Sequence, residues 1–459
     1  MMNLDIATLV KSQHELFCTG ATLELETRVT ALRALREGIV LHQDEINAAL
    51  QADLGKSPSE SYMCEVGLVL SEISYMLKNI RRLARKRRAH TPLTHYVARC
   101  YEMPMPLGCT LIVSPWNYPF LLTVEPLVDA LAAGNTAIVK PSAYSPATSS
   151  IIAKIVEELY PSEYVAAVLG GREENQELLE QDFDLVFFTG SEVVGKIVLE
   201  KCAQKLTPAI LELGGKSPCI VDTSADIKLA ARRIAWGKFL NCGQTCVAPD
   251  YIVCDERIRD ELVHELGEQI RKQFGNAPLE NPAYGKIVNE KHFTRLSSLI
   301  ETGNVMLGGA CVSQELKIEP TIMVDVTWGD PIMQEEIFGP ILPVLTFSSL
   351  DEALKEIAAR PKPLALYLFS EDRACVDHVM GTMQFGGGCV NDTILHLATS
   401  SMRFGGVGQS GMGSYHGDAG FEAFSHLKSI VDRATWIDMP MRYQPFGALK
   451  DKLIRLCLH

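Results

Sequence analysis

No apolar run in this 459-residue chain approaches the ~20 residues that span a bilayer. The stretch from Met1 to Ser12 lacks a basic region followed by a long apolar core, so no signal peptide is read there. Cations are in the minority: 43 Lys and Arg against 56 Asp and Glu leave a formal net charge of −13, which argues against a nucleic-acid partner. The 13 cysteines include no CxxC pair, and without an export signal they are expected as free thiols rather than disulfides. The 11 histidines form no finger-like or HExxH cluster with them, so no metal site is expected. Repeats, low-complexity tracts and Gly/Ser linkers are missing too. These absences describe a soluble, cytoplasmic chain.

What is present is ordinary globular material. Hydrophobic residues make up 47% and charged residues 22%, and at ~150 residues per domain the length predicts two or three domains. The first ~95 residues read as helix, with three- and four-residue apolar spacing over Thr27–Leu50 and again over Ser59–Leu77. The basic stretch Arg81–Arg88 reads as a solvated helix end. From Cys109 short apolar runs (CTLIV, TAIV, YVAAVL, DLVFF, AILEL) alternate with amphipathic stretches such as Ala147–Leu159 and Glu192–Gln204. That alternation predicts an α/β fold with doubly wound parallel sheets. A second series follows Gly214-Gly215, with strands expected at Ser217–Val221 and Pro249–Cys254 and a helix at Asp255–Phe274. The tail after Ser425 shows neither periodicity nor the bulk of a domain, and is expected to dock on the rest.

Five places could carry chemistry, and each also has a bland explanation. Thr189-Gly190-Ser191 through Gly195 joins the run DLVFF to a helix, where backbone N–H groups could meet a phosphate; a plain tight turn is the alternative. Lys140 leaves the carboxyl end of a strand, where doubly wound sheets bind ligands, or is simple surface charge. Cys246, in Asn241-Cys242-Gly243-Gln244-Thr245-Cys246, is placed for exposure at a turn and could serve as a nucleophile. Glu212 sits inside the apolar run Ala209–Leu213. Burial there would raise its pKa toward the range of a general base, unless it forms a buried ion pair. Asn117, in SPWNYPF, could donate to a reacting oxygen or merely shape a turn.

Taken together the motifs resemble the aldehyde dehydrogenase superfamily: PWNYP at 115–119, GNTAIVKPS at 134–142, FTGS at 188–191, LELGGKSP at 211–218, GQTCVAPDY at 243–251 and EEIFGPILP at 335–343. The 34 residues from Glu212 to Cys246 are similar to the family's base-to-nucleophile spacing. The class-three branch is suggested by Cys242 ahead of the motif, Val390-Asn391-Asp392, FGGVGQSGMGSYHG at 404–417 and Arg442-Tyr443. The resemblance implies a Rossmann-like cofactor domain (1–87 and 107–213) and a catalytic domain (214–420). It also implies a small β oligomerisation extension with a C-terminal arm (88–106 and 421–459), in a homodimer.

By the same resemblance Cys246 is the nucleophile, Glu212 the general base, and Asn117 with the Cys246 N–H the oxyanion donors. Lys140 reaches the adenosine ribose, where it and Ser142 could receive a 2′-phosphate; Gly190, Ser191 and Gly195 border the pyrophosphate and adenosine, and Glu336 and Phe338 place the nicotinamide. Tyr118, Trp236, Thr245, Ile394 and Phe404 line the aldehyde funnel. The implied reaction is NAD(P)-dependent oxidation of an aldehyde to the acid through a thiohemiacetal and thioester. One position departs from NAD-preferring relatives: Ala143 stands where they carry an acidic residue, so use of NADP as well as NAD is expected. The funnel is mostly apolar, which suits medium-chain aliphatic or aromatic aldehydes. Arg403, next to Phe404, raises the alternative of an acidic semialdehyde. CoA-acylating relatives need no water-activating glutamate, so Glu212 speaks against that rival, and the intact Cys246, Glu212 and Asn117 set speaks against a silent binding protein.

Overall fold

The structure is a computed structural model that describes residues 5–458. Its first sheet has six strands in the order Gly411–Met412, Ala209–Glu212, Leu185–Thr189, Cys109–Val113, Thr136–Lys140 and Val165–Ala167. All pair in parallel except the short Gly411–Met412 edge, which runs antiparallel to Ala209–Glu212. The central strands are buried on both faces, which is why they are unbroken apolar runs rather than alternating ones. Helices Leu121–Ala133, Pro146–Leu159 and Glu192–Lys205 make the crossovers.

The chain builds this sheet outward from Cys109–Val113 in one direction, then returns to place Leu185–Thr189 on its other side. The strand order therefore reverses between these two strands. At such a reversal the loops leaving the carboxyl ends diverge and open a crevice. The two loops are 114–120, which carries Asn117, and 190–191, which carries Gly190 and Ser191.

A second sheet of seven strands follows, in the order Asn304–Leu307, Thr321–Val324, Ile341–Phe347, Tyr251–Asp255, Pro218–Val221, Ala365–Phe369 and Gly387–Val390. It is parallel apart from its Asn304–Leu307 edge. The chain crosses from the first sheet to the second over 213–217, at the Gly214-Gly215 pair expected as a boundary. The crossing is not final, since Gly411–Met412 returns to pair with Glu212 and Leu211.

Three expectations change. The helix anticipated over Thr27–Leu50 is two helices, Leu25–Leu41 and Gln43–Leu54. His42 ends the first, and its ring nitrogens lie 2.8 Å from Glu45 Oε1 and 2.8 Å from Glu158 Oε2. The basic stretch is only partly a solvated helix end: the helix stops at Leu83, and Arg87–Arg88 is a short strand. Arg82 and Arg87 are ion-paired with Asp418 and Glu422. The tail contains a nine-residue strand, Ser425–Arg433, antiparallel to Ala98–Pro106 in full register from Ser425 opposite Pro106 to Arg433 opposite Ala98. With Arg87–Arg88 these form a third, three-stranded sheet.

Candidate active site

Cys246 opens a tight turn closed by the Ala248 N–H donating to Thr245 O at 2.9 Å. It follows a strained stretch in which Asn241 and Cys242 hold φ of 50° and 53°, costly values for side chains that carry a Cβ. The turn holds the half-buried Cys246 where two spaces meet. One is an apolar cavity of about 160 Å³ and the other a broad cleft of about 1250 Å³, and among the described residues only Cys246 and Leu122 line both. Burial, then the nearby Glu336 and Glu212 carboxylates, push the Cys246 thiol up to about 12.

Glu212 is the last residue of its strand, and its carboxyl group lines the cleft. It is buried, and neither carboxylate oxygen has a hydrogen-bond partner. Burial alone pushes its pKa well above the ordinary carboxylate range. The ion-pair alternative is not realised, and an orphaned buried carboxyl group in a cleft marks a candidate functional group.

Asn117 lies in the loop after Cys109–Val113, with its Nδ2 donating to Gln244 O at 3.1 Å. Its own carbonyl accepts from Asn241 Nδ2 at 2.7 Å and from Lys56 Nζ at 2.9 Å. The side chain has a second amide proton, and it lines the same cleft as Cys246 and Glu212.

The cleft gathers Lys140, Ser142, Gly190, Ser191, Glu336 and Phe338 as well. Ser191 caps the helix Glu192–Lys205, accepting from Val194 N at 3.4 Å, so that helix's positive end faces the cleft. Lys140 is buried and donates to Pro141 O at 3.0 Å and Gly170 O at 2.8 Å, so it is not surface charge. Its pKa is lowered by burial. Glu336 presses on Gly214, where an added Cβ would lie 2.1 Å from its Oε2. Burial, then Asp250, raises Glu336 to about 8. Phe338 holds a φ of 49° and meets Trp116 edge-on at 5.3 Å.

The cleft-facing helix end, the buried lysine and the carboxylate held open by a glycine suit a dinucleotide along this cleft. Gly195 stands apart. It does not line the cleft, and an added Cβ would lie 2.7 Å from Leu213 Cδ2, so its place is close helix–strand packing.

All five funnel residues, Tyr118, Trp236, Thr245, Ile394 and Phe404, line the apolar cavity. The Tyr118 hydroxyl lies 2.7 Å from Thr245 Oγ1, and Ile394 holds a φ of 65°, a strained value for a β-branched residue. Arg403 lines neither space and is exposed, so the acidic-aldehyde alternative loses the residue that raised it.

Several residues were missed. Arg172 lines the cleft with Ala143 and makes no ion pair among the described residues. Glu125 and His416 line the cavity as a buried pair 3.3 Å apart. The signal for them was Glu125 with Asp129, two carboxylates four residues apart in the otherwise apolar helix Leu121–Ala133. No cluster of metal-ligating side chains exists among the described residues.

The model of the aldehyde dehydrogenase family matches residues 3–430. The chain is 45% identical to aldehyde dehydrogenase family 3 member A2 of Mus musculus, over 90% of this chain and 86% of that one. It is 42% identical to the dimeric NADP-preferring aldehyde dehydrogenase of Canis lupus familiaris, over 96% and 98%. The structure of Staphylococcus aureus AldH in a substrate-bound state superposes with a TM-score of 0.98 at 43% identity, covering 99% of this chain and all of that one. The chain therefore belongs to the aldehyde dehydrogenase family, in its class-three branch, and is an NAD(P)-dependent enzyme that oxidises aldehydes.

Proposed function

We propose that the enzyme oxidises medium-chain aliphatic or aromatic aldehydes to carboxylic acids, with Cys246 as nucleophile. The observation that carries this reading is the position of Cys246 at the junction of an apolar cavity and a polar cleft, with the unpartnered Glu212 carboxyl in that cleft. The aldehyde enters from the cavity, and the Cys246 thiolate adds to its carbonyl carbon to give a thiohemiacetal. The negative oxygen is met by the free amide proton of Asn117 and the Cys246 backbone N–H; losing one such donor typically costs ~10²–10³ in rate. NAD or NADP, when bound, supplies the hydride acceptor that the oxidation needs. Glu212 then takes a proton from the water that attacks the thioester, a role that typically contributes ~10²–10⁴-fold.

The cofactor is held by Lys140 and Ser142 at the adenosine ribose, by Gly190 and Ser191 at the pyrophosphate, and by Glu336 and Phe338 at the nicotinamide end. Gly195 acts through packing, by letting the helix approach the strand. We read both NADP and NAD as substrates of this site. Ala143 brings no negative charge against a 2′-phosphate, and Arg172 offers a free cation in the same cleft. The similarity to the dimeric NADP-preferring aldehyde dehydrogenase of Canis lupus familiaris supports this reading.

In the proposed domain division, 1–87 with 107–213 holds the cofactor and 214–420 supplies Cys246, while 88–106 and 421–459 build the extension. The exposed edge strand Ser425–Arg433, with Val431 and the neighbouring Trp436 uncovered, supports a homodimer formed through that extension. No helix among the described residues is long and apolar enough to cross a membrane; a cytoplasmic location fits a chain whose 13 cysteines are all free thiols.

The test is NAD(P)H formation from hexanal and benzaldehyde, with both cofactors, in the wild type and Cys246→Ala. Turnover in the wild type and a fall of at least about 10⁴-fold in the variant is the expected result. Turnover that survives the substitution removes the nucleophile from this reading.

A further inference from the structure

One buried ion pair outside the proposed catalytic set reaches straight into it. Lys56 and Glu65 are both fully buried, with Lys56 Nζ 2.5 Å from Glu65 Oε1. Taking two charges out of water costs several kcal/mol per ion before any attraction is counted, and a pair of hydrophobic side chains would fill the space without that cost. The remaining bonds of the pair show where its geometry is used. Lys56 Nζ donates to the Asn117 carbonyl at 2.9 Å and sits 3.9 Å over the Tyr118 ring. Glu65 Oε2 accepts from Phe120 N at 2.8 Å and Leu121 N at 3.1 Å. A single ion pair thus fastens residues 117, 118, 120 and 121, the loop that carries Asn117 from the end of its strand into the helix Leu121–Ala133.

The local backbone supports the same arrangement. Tyr62–Val66 forms a π-helical turn between Pro58–Ser61 and the helix Gly67–Leu83. Such a turn inserts one residue and redirects the side chains around it, and is found preferentially at functional sites. Here it lets Cys64 and Met63 line the cavity while Glu65 points to Lys56. The same segment reaches the nucleophile's loop: Glu60 Oε1 accepts from Asn241 N at 2.9 Å, and Asn241 Nδ2 donates to both Asn117 O and Gln244 O, at 2.7 and 3.2 Å.

We infer that the Lys56–Glu65 pair is a positioning device: it sets the Asn117 loop against the Cys246 loop so that the Asn117 amide meets the oxyanion. The inference rests on the oxyanion role proposed above for Asn117. Both residues act through Asn117 and touch no reactant. Neutralising the pair leaves Cys246 and Glu212 in place and frees the Asn117 loop to shift its donor, and a displacement of about 1 Å costs about 10²-fold in rate.

The experiment is a double-mutant cycle on the full-length enzyme, with hexanal and NADP. Lys56→Met/Glu65→Gln removes both charges together, so neither is left buried alone. The expected result is a kcat lower by about 10²-fold, with KM for hexanal and the dissociation constant of NADP within about twofold of wild type. In the Asn117→Ala background the same pair of substitutions should cost nothing further. Equal losses in both backgrounds, or a loss confined to KM, overturn the positioning role while leaving Asn117 as oxyanion donor. An Asn117→Ala enzyme with wild-type kcat overturns the oxyanion role itself, and the inference with it. Lys56→Arg keeps the charge but moves the donor atoms, and is read through the same cycle should the double substitution fail to fold. A loss that disappears without Asn117 supports the inference, and one that persists, or no loss, overturns it.

Discussion

The two spaces that meet at Cys246 are built in opposite ways. The cleft is made from the carboxyl ends of parallel strands and from the loops and helix ends that follow them, so its shape follows from strand order and its selectivity from charge and backbone N–H groups. The cavity is made from side chains of many separate segments, among them Met63, Tyr118, Trp236, Ile394 and Tyr415, and its selectivity is that of an apolar shape. A hydrophobic wall discriminates by only ~1–3 kcal/mol per methylene. The cleft is therefore built to hold a dinucleotide by charge and backbone groups and the cavity to tolerate a range of aldehydes, and Cys246 faces both.

The strongest way to break this division is to act on the cleft's unpartnered acid. Glu212→Gln should lower steady-state turnover by ~10²–10⁴-fold while aldehyde addition to Cys246 continues, so a burst of NAD(P)H should precede a slow steady rate. The pH profile carries the sign. Burial raises Glu212 above its ordinary range, and burial with nearby carboxylates raises Cys246 to about 12. Both act deprotonated, so activity should climb with pH through neutrality and fall on the acid side. Stopped-flow absorbance of wild type and variant checks this: a Glu212→Gln enzyme with wild-type turnover and no burst would contradict the assignment.

What could be read in advance follows the same line. The cleft was legible because its parts are local: an apolar run, a glycine turn, then a helix, with Lys140 and Glu212 conspicuous as charges inside buried strands. The cavity was only partly legible. Its aromatic lining came through family resemblance, but the Glu125–His416 pair joins residues 291 positions apart. The strand Ser425–Arg433 came only through the family's β extension and could not be read from the tail's own pattern, for a related reason. Its partner Ala98–Pro106 lies more than 300 residues upstream and has two prolines, and its own outward face is polar. Gly195 was placed at the cofactor by the family resemblance, whereas the neighbour an added Cβ would meet there is the Leu213 side chain. Lys56 and Glu65 are unremarkable in the sequence, because only the fold shows that both are fully buried.

A smaller effect sharpens the cleft's side of the comparison. Ala143→Glu places a carboxylate where none stands now, beside the proposed 2′-phosphate position. Like charges brought together cost enough to shift preference toward NAD, by about tenfold or more in kcat/KM for NADP. Arg172→Ala should lower NADP efficiency in the same direction and leave NAD nearly unchanged. Steady-state kinetics with both cofactors measures each. Equal effects of Arg172→Ala on NAD and NADP would remove that arginine from the phosphate and leave the charge argument to Ala143 and Lys140.

The smallest effect concerns the cavity's wall. Asp129 lies on the helix Leu121–Ala133, one turn after the cavity-lining Glu125, fully buried and with neither oxygen hydrogen-bonded. Burial, then the neighbouring Glu72 and Glu125 carboxylates, push its pKa well above the ordinary range. The folded protein thus holds a proton that the unfolded chain releases near pH 4. The associated stability is complete below the ordinary carboxyl range and is lost as pH rises toward the folded value, by up to about 1.4 kcal/mol per pH unit. Asp129→Asn keeps the shape without the titration, so its melting temperature should fall less between pH 5 and 8 than that of wild type. Calorimetry over that range measures the difference, and parallel curves would mean that Asp129 is already ionised in the fold. In that case the wall behind the apolar cavity would be charged, and the contrast between a cleft that selects by charge and a cavity that selects by shape would hold only at the surface the aldehyde touches.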